Sequence, residues 1–301
     1  MLKREALRQL GWDDGWEEAF AQADQTTFEP GRVTVEHRGE YVVRTEDGDV
    51  RAKLPGKMLH EATSRADLPA VGDWLVLERV GPDAALVRGT LPRRSKFSRK
   101  VAWTDTEEQI VATNVDVVFV VTSLNSDLNL RRIERYLTLA WESGAMPVVV
   151  LTKADLATDV DQALLDAASV APAVPIHAVS AVNDEGVDDL RTYLEGARTV
   201  ALLGSSGTGK STLINRLVGT EVQKVQDIRA DDKGRHTTTN RELLLAPGGG
   251  VLIDTPGMRE LQLWDADEGL GGAFSDIEEL LEGCRFRDCS HDSEPGCAVL
   301  A

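Results

Sequence analysis

The eight residues Gly204–Ser211, GSSGTGKS, restrict the possible folds of this chain more than any other feature of its sequence. They fit the pattern G-x-x-x-x-G-K-[ST], follow the apolar run Thr199–Leu203 and open the helix-like run Thr212–Val218. Backbone N–H groups of such a turn and the N-terminus of the helix after it both attract anions. The segment therefore predicts a phosphate-binding loop in an α/β domain.

The residues of this loop have predicted roles toward a nucleotide. Lys210 is expected to reach the β- and γ-phosphates and to assist the reaction there, and Ser211 to bind Mg²⁺. The remaining phosphate contacts are assigned to Gly204, Ser205, Ser206, Gly207, Thr208, Gly209 and Thr212.

Two later segments have the spacing of a nucleotide-dependent switch. Asp254 follows the apolar run Val251–Ile253, where its carboxylate can join the Mg²⁺ shell, and the N–H of Gly257 can face the γ-phosphate. The segment GRHTTT at 234–239 lies where a switch loop is expected, and we predict that Thr238 completes the Mg²⁺ shell. The alternative for this segment is a strand edge rich in β-branched residues.

Two segments that precede the loop have the pattern of a guanine site. In Thr152–Asp155, TKAD, the Asp155 carboxylate can accept hydrogen bonds from guanine, and the stem of Lys153 can cover the base. The backbone of Ser180-Ala181 is predicted to contact the guanine O6 atom. Guanine-specific proteins carry Asn at the first position, and the hydroxyl of Thr152 replaces only part of an amide's hydrogen bonding. Taken alone, TKAD also fits a helix N-cap.

The order of these motifs differs from that of ordinary GTP-hydrolysing proteins, in which the phosphate loop precedes the base motifs. The same sheet forms if the chain is cut after the strand that ends at Asp254 and the old ends are joined. We therefore predict a circularly permuted GTPase domain whose exit lies just after Gly257, so that a following domain is tied to the nucleotide state.

The residue after Gly257 is Met258, where Ras-like proteins place a glutamine that orients the attacking water. A methionine cannot do this, so we expect slow hydrolysis unless another residue or a partner assists. His236 is the nearest candidate in the sequence for a catalytic role, and a purely structural histidine is the alternative.

The remainder of the 301 residues predicts a multidomain protein. A short amphipathic helical arm is followed by five strand-like runs between Arg32 and Leu91, which favour an all-β OB-type barrel, with an SH3-like barrel as the alternative. Alternating apolar runs and helices then predict the α/β domain, and the segment after Leu263 is acidic and helical. The expected divisions are 1–25, the arm; 26–95, the barrel; 96–263, the GTPase domain; and 264–301, a mostly helical C-terminal domain.

All three cysteines lie close together near the C-terminus, with a histidine among them. An odd, clustered set argues against a disulfide framework. Three thiolates and one imidazole form a closed tetrahedral set, which predicts one structural Zn²⁺. The predicted ligands are Cys284, Cys289, His291 and Cys297.

Charge and hydropathy restrict the partners. The formal charge of −17 opposes general nucleic-acid binding, so any RNA contact needs a local basic patch. The best candidate is the basic segment Arg93–Lys100, with a solvated basic linker as the alternative. No apolar run of membrane-spanning length and no signal peptide is found, so we expect a cytoplasmic protein without a membrane partner.

Several long segments together resemble the ribosome small subunit-dependent GTPase A family, and the resemblance extends over almost the whole chain. They are LPRRSKFSRK at 91–100, SLNSDLNLRRIERYL at 123–137, GSSGTGKST at 204–212, GRHTTT at 234–239, DTPGMREL at 254–261 and CRFRDCSHDSEPGCAV at 284–299. The resemblance implies an OB-fold, a permuted GTPase domain and a zinc domain. It also implies a role in late small-subunit maturation, with GTP hydrolysis stimulated by that subunit, a histidine like His236 assisting, and rRNA contacts from the flanking domains.

The sequence departs from the family at two points, and two other functions are possible alternatives. Thr152 replaces the commonest Asn, and family members continue with further helices after the cysteines, so we expect a truncated C-terminal domain. We expect a monomer that binds GTP and GDP. The rivals are a P-loop ATPase or small-molecule kinase, and an RNA-binding module that nucleotide only stabilises.

Overall fold

The N-terminal arm is not one helix but two short ones. A computed structural model describes residues 4–23, 27–37, 39–100, 108–125, 128–219 and 242–254. Helices α1 (Glu5–Arg8) and α2 (Asp14–Ala21) are separated at Gly11, whose φ of +91° lies in the left-handed region. The carboxylate of Asp13 caps α2 by accepting a hydrogen bond from the N–H of Trp16 at 2.9 Å. No helix in the described part of the chain is long and apolar enough to span a membrane.

The predicted five-stranded barrel is present. Its strands are β1 (Glu29–His37), β2 (Glu40–Thr45), β3 (Gly48–Lys53), β4 (Trp74–Gly81) and β5 (Ala84–Thr90), with helix α3 (Gly56–Glu61) between β3 and β4. They pair in the order β1-β2-β3-β5-β4, and β4 pairs back with β1 to close the barrel. Strands β3 and β5 run parallel, and the other pairs are antiparallel.

A two-stranded sheet follows the barrel, where the sequence had suggested a basic patch or linker. Strand β6 (Lys96–Lys100) pairs antiparallel with β7 (Glu108–Thr113). The Lys96 ammonium donates to the Glu108 carboxylate at 2.9 Å across the pair, and Phe97 is buried. The charged sequence of β6 did not predict this strand, because a cross-strand ion pair and one buried aromatic side chain stand in place of the usual apolar alternation.

The α/β domain is built on a mostly parallel sheet, as predicted. Its strands are β8 (Val117–Ser123), β9 (Met146–Thr152), β10 (Ile176–Val179), β11 (Thr199–Leu203), β12 (Glu242–Leu245) and β13 (Val251–Asp254). The order is β10-β9-β8-β11-β13-β12, in which only β12 runs antiparallel to its neighbour in this domain. One bridge, Val35 to Glu242, joins β12 to the barrel strand β1.

Helices cover both faces of this sheet. The connections from β8 to β9 and from β9 to β10 contain α4 (Leu130–Ser143) and α5 (Val160–Val170), which pack against each other. Helices α6 (Val187–Arg191) and α7 (Lys210–Val218) also contact each other, and they share a buried apolar cluster with the sheet. Central strands buried on both sides read as continuous apolar runs, which is why their positions follow from the sequence.

Candidate functional site

The predicted motifs meet at one edge of the parallel sheet. Strands β8, β9, β10, β11 and β13 all run in the same direction. Thr152, Val179, Leu203 and Asp254 end four of these strands. The phosphate loop, the TKAD segment, Ser180-Ala181 and Asp254 therefore lie at the carboxyl ends of adjacent strands, where open α/β sheets bind their ligands.

The phosphate loop passes so close to β8 that its first residue must be glycine. A Cβ on Gly204 would lie 2.2 Å from the carbonyl oxygen of Val121. Gly209, the last residue before α7, has a φ of +86°, a left-handed conformation that glycine adopts without steric cost. These two glycines fix the curl of the loop between β11 and α7.

Lys210 folds back over the loop that it follows. The residue is 5% exposed, and its ammonium group donates to the carbonyl oxygen of Gly204 at 2.7 Å and to that of Ser205. It also lies 3.3 Å from the hydroxyl oxygen of Thr208. The buried positive charge is thus held at the centre of the loop by neutral oxygens, which a phosphate can replace with stronger, charge-assisted bonds.

Thr152 links the TKAD segment to the phosphate loop. Its hydroxyl lies 2.6 Å from the carbonyl oxygen of Thr208 and 3.1 Å from that of Thr122. Thr152 is 2% exposed, so this contact is shielded from water. The hydroxyl therefore joins the TKAD segment to the end of β8 and to the phosphate loop. The sequence, in which Thr152 stands in place of Asn, did not predict this role.

Asp155 is oriented by Ser180. The serine hydroxyl donates to the Asp155 carboxylate at 2.6 Å and accepts from the N–H of Asn183 at 3.2 Å. Lys153, just before the turn that carries Asp155, has a φ of +58°, which is uncommon for a residue with a side chain. The two predicted guanine segments are thus in direct contact.

Arg216 is a residue of this site that sequence reasoning missed. From α7, its Nε donates to the carbonyl oxygen of Ala181 at 2.8 Å, which ties the phosphate-loop helix to the second guanine segment. Arg191 in turn donates to the carbonyl oxygen of Arg216 at 2.6 Å. The sequence shows an arginine in the second turn of α7, but it does not show the contact, because the partner Ala181 is 35 residues away.

The oxygen donors predicted for Mg²⁺ lie at the same edge. Ser211 is in the first turn of α7, and Asp254 ends β13 and is 5% exposed. A hydroxyl and a carboxylate beside a phosphate loop are ligands that suit Mg²⁺, so the residues present fit this ion. In the part of the chain that the structure describes, no group of three or more His, Cys, Asp or Glu side chains is arranged to hold a metal ion.

The other predicted site residues lie outside the described residues. These are Gly257, the switch-loop residues His236 and Thr238, and the zinc ligands Cys284, Cys289, His291 and Cys297.

The predicted RNA-contacting basic segment is partly used inside the protein. Arg93 donates two hydrogen bonds to the fully buried carboxylate of Asp73, at 2.8 and 2.7 Å. Arg94 makes a two-bond ion pair with Asp13. These two arginines join the segment just before β6 to the barrel and to the arm, so their charges are already paired within the protein.

Comparisons with known proteins agree with this geometry. The family model described as RsgA GTPase matches residues 90–264. Three of the similar curated proteins carry the name small ribosomal subunit biogenesis GTPase RsgA. The one numbered RsgA 1 from Oceanobacillus iheyensis is 51% identical, over 89% of this chain and 77% of that protein. The one from Opitutus terrae is 47% identical, over 98% and 83%. The one from Streptomyces coelicolor is 50% identical, over 98% and 81%.

Solved structures show the same architecture. The crystal structure of YjeQ from Thermotoga maritima superposes with a TM-score of 0.62 and 26% identity, covering 91% of this chain and 90% of that one. A structure described as YloQ, a circularly permuted GTPase, has a TM-score of 0.59 and 23% identity, covering 92% and 88%. This second likeness supports the fold alone.

Proposed function

The chain belongs to the RsgA GTPase family and is a GTPase, and on that basis we propose that it acts as a GTP-dependent switch in late maturation of the small ribosomal subunit. Relatives named small ribosomal subunit biogenesis GTPase match nearly the whole chain. The observation that supports the site best is the meeting of two guanine segments and a phosphate loop at one sheet edge, despite their reversed order in the sequence.

In this proposal the phosphate loop binds the GTP phosphates through its backbone N–H groups and through Lys210. The ammonium group exchanges the carbonyl oxygens of Gly204 and Ser205 for phosphate oxygens. Because it is already positioned and largely buried, it stabilises the negative charge that develops during phosphoryl transfer with little reorganisation.

Guanine recognition rests on Asp155, with Lys153 covering one face of the base. Ser180 holds the Asp155 carboxylate at 2.6 Å before nucleotide binds, so less orientational freedom is lost on binding. Arg216 holds the Ala181 carbonyl, which fixes the loop whose backbone is assigned to the guanine O6 atom.

Ser211 and Asp254, joined by Thr238 in the GTP state, would hold the Mg²⁺ that accompanies GTP. The ion, when bound, neutralises charge on the β- and γ-phosphates. The residues' own task is to hold the nucleotide in line with the attacking water.

Activation is assigned to the small subunit. Met258 cannot orient water, so we propose that binding to the subunit and its rRNA orders the segment 234–239 and brings His236 to the γ-phosphate. The histidine then acts only in the transition state, which predicts an effect on rate without an effect on nucleotide affinity.

The proposal extends to the rest of the chain as the sequence predicts it. It includes an OB-type barrel at 26–95, a GTPase domain at 96–263, and a C-terminal domain at 264–301 that holds one structural zinc. We also propose that the protein is a monomer and is located in the cytoplasm. Elemental analysis of protein purified without chelators tests for the zinc. If no zinc is found, the predicted zinc site is wrong.

Single-turnover GTP hydrolysis, with and without purified small ribosomal subunits, tests the proposal. We expect slow hydrolysis alone and at least a tenfold rise with subunits. The His236→Ala variant should lose that rise while its affinity for GDP stays unchanged. Equal stimulated rates for the variant and the natural sequence would remove His236 from the mechanism.

Two further measurements, competition of bound guanine nucleotide with ATP and binding to small subunits alongside GTP hydrolysis, separate the two rival functions. A P-loop ATPase or kinase would lose bound guanine nucleotide to an excess of ATP, whereas a guanine site would not. A nucleotide-stabilised RNA-binding module would bind small subunits without any rise in GTP hydrolysis. Either result would contradict the proposed function.

A further inference from the structure

A cavity of about 220 Å³ lies where the arm, the barrel and the α/β domain meet. Trp12 of the arm, Trp74 of the barrel, and Asp116 and Thr199 from the α/β domain all line it. Asp116 precedes β8 and Thr199 begins β11, so the cavity is at the amino ends of the parallel strands. The nucleotide motifs lie at the opposite, carboxyl ends, and the cavity is therefore separate from the site described above.

A buried arginine forms part of the cavity wall. Arg32 is 1% exposed, and its guanidinium donates only to carbonyl oxygens, those of Leu10, Gly72 and Asn114. A guanidinium has five N–H groups, so these bonds use three and leave two. Burial lowers the pKa of Arg32 to about 10, which leaves the group charged at neutral pH. In the described part of the chain no carboxylate hydrogen-bonds to this cation, and the nearby charges of Asp116 and Asp73 favour its charged form without contacting it through a hydrogen bond.

The other charged groups of the wall leave an excess of positive charge. Four arginines and two aspartates line the cavity, in a protein whose formal charge is −17. Asp13 is used by Arg94 in two bonds of 2.6 and 2.7 Å, and the hydrogen bond from Arg94 lowers the pKa of Asp13. The carboxylate of Asp116 accepts from the N–H of Thr199 at 2.7 Å. Both carboxylates thus already have hydrogen-bond donors.

The two remaining arginines of the wall are Arg8 and Arg198. Arg8 has one exposed ion pair, with Asp14 at 3.4 Å. The side chain of Arg198 is exposed and makes no hydrogen bond or ion pair with any residue that the structure describes. With Arg32 and Arg94 they bring the number of arginines among the lining residues to four. The planar N–H forks of guanidinium groups match phosphate oxygens.

We propose that this cavity is a second ligand site, which binds a small phosphate-bearing anion between the arm, the barrel and the α/β domain. The anion accepts hydrogen bonds from the spare N–H groups of Arg32, and Arg198 closes the open side. The cavity is larger than a single ordered water requires, and its polar wall suits a charged occupant. Since the occupant contacts all three parts of the chain, its binding also stabilises their junction.

Titration of GDP-loaded protein with inorganic phosphate tests this site. Binding is followed by calorimetry and by the rise in melting temperature, at constant ionic strength set with chloride. We expect saturable binding, and a tenfold or greater loss of phosphate affinity in Arg198→Ala. Arg198 is exposed, so this change should leave folding intact. The control is Arg51→Ala, which removes an exposed arginine on β3 away from the cavity and should bind phosphate as the unaltered chain does.

Three results would overturn the proposal. One is the absence of saturable phosphate binding. Another is equal affinity in Arg198→Ala and the unaltered chain, which would place the phosphate elsewhere, for example beside GDP in the phosphate loop. The third is an equal loss in Arg198→Ala and Arg51→Ala, which would indicate nonspecific attraction. None of these results depends on GTP hydrolysis, so the proposed phosphate site can be wrong while the proposed function is correct, and the reverse.

Discussion

At the scale of single residues, Thr152 is the main departure from the usual guanine motif. Its hydroxyl contacts the carbonyl oxygens of Thr208 and Thr122, so it joins the guanine segment to the phosphate loop. The sequence indicated only that an amide had been lost. The structure indicates that the replacement keeps a connection between the two halves of the nucleotide site.

This connection can be removed without changing the shape of the side chain. Thr152→Val deletes the hydroxyl and leaves two buried carbonyl oxygens with one donor fewer, at a cost of about 1–3 kcal/mol. Because GDP must then order a loop that the hydroxyl no longer holds, we expect GDP to bind about fivefold or more weakly, the effect of about 1 kcal/mol. Thr152→Ser keeps the hydroxyl and serves as the control. GDP affinity in Thr152→Val equal to that of the Ser variant would show that the contact does not support binding.

Asp155 carries the predicted base specificity. Asp155→Asn replaces an acceptor-only carboxylate by an amide, which cannot accept from both the N1–H and the amine of guanine. We expect GDP to bind at least tenfold more weakly and xanthosine diphosphate to bind more tightly, measured by competition with a fluorescent nucleotide. Unchanged GDP affinity would refute the assignment.

Local patterns and distant contacts differ in how far the sequence reveals them. The glycines and Lys210 of the phosphate loop are adjacent in sequence, so their pattern predicted their position. The contacts of Arg216 with Ala181 and of Thr152 with Thr208 join residues 35 and 56 positions apart. Such pairs depend on how the strands are ordered, and a single sequence carries no direct signal for them.

At the scale of elements, the buried strands of the α/β sheet were predictable and the β6–β7 pair was not. Strand β11 was predicted at its observed bounds, Thr199–Leu203, because it is a continuous apolar run buried on both faces. Strand β6 carries three basic residues, and from the sequence we interpreted it as a linker or an RNA contact. Its neighbours Arg93 and Arg94 are instead held in ion pairs with Asp73 and Asp13.

The ion pair between Arg93 and Asp73 should stabilise the link between the barrel and the α/β domain. Asp73 is fully buried and also accepts from the N–H of Ala70 at 2.8 Å. Asp73→Ala removes the partner of a mostly buried guanidinium, which typically costs about 3–5 kcal/mol. Urea unfolding should detect this loss.

The matched control for Asp73→Ala is Glu78→Ala, which breaks the exposed pair between Glu78 and Arg88 in the same barrel. Exposed pairs contribute about 0–1 kcal/mol, so little change in unfolding free energy is expected. Similar losses for both variants would show that burial of the Asp73 pair does not determine its contribution.

At the scale of the whole molecule, the permuted order has a mechanical consequence. The base motifs come first, so the predicted exit of the chain from the GTPase sheet follows β13, the strand that ends at Asp254, a predicted Mg²⁺ ligand. The neighbouring strand β12 pairs with barrel strand β1, so the sheet edge next to this exit is hydrogen-bonded to the barrel. The proposed switch therefore has a physical route to the barrel, which the proposal assigns to contact with the ribosomal subunit.

The affinity of the chain for purified small ribosomal subunits, measured in different nucleotide states, tests the switch most directly. A ligand shifts a conformational equilibrium only as far as its affinities for the two states differ. We predict at least tenfold tighter subunit binding with a non-hydrolysable GTP analogue than with GDP. The Lys210→Ala variant should lose this difference. Equal subunit affinity in the two nucleotide states of the unaltered chain would contradict the account of this protein as a GTP-dependent switch.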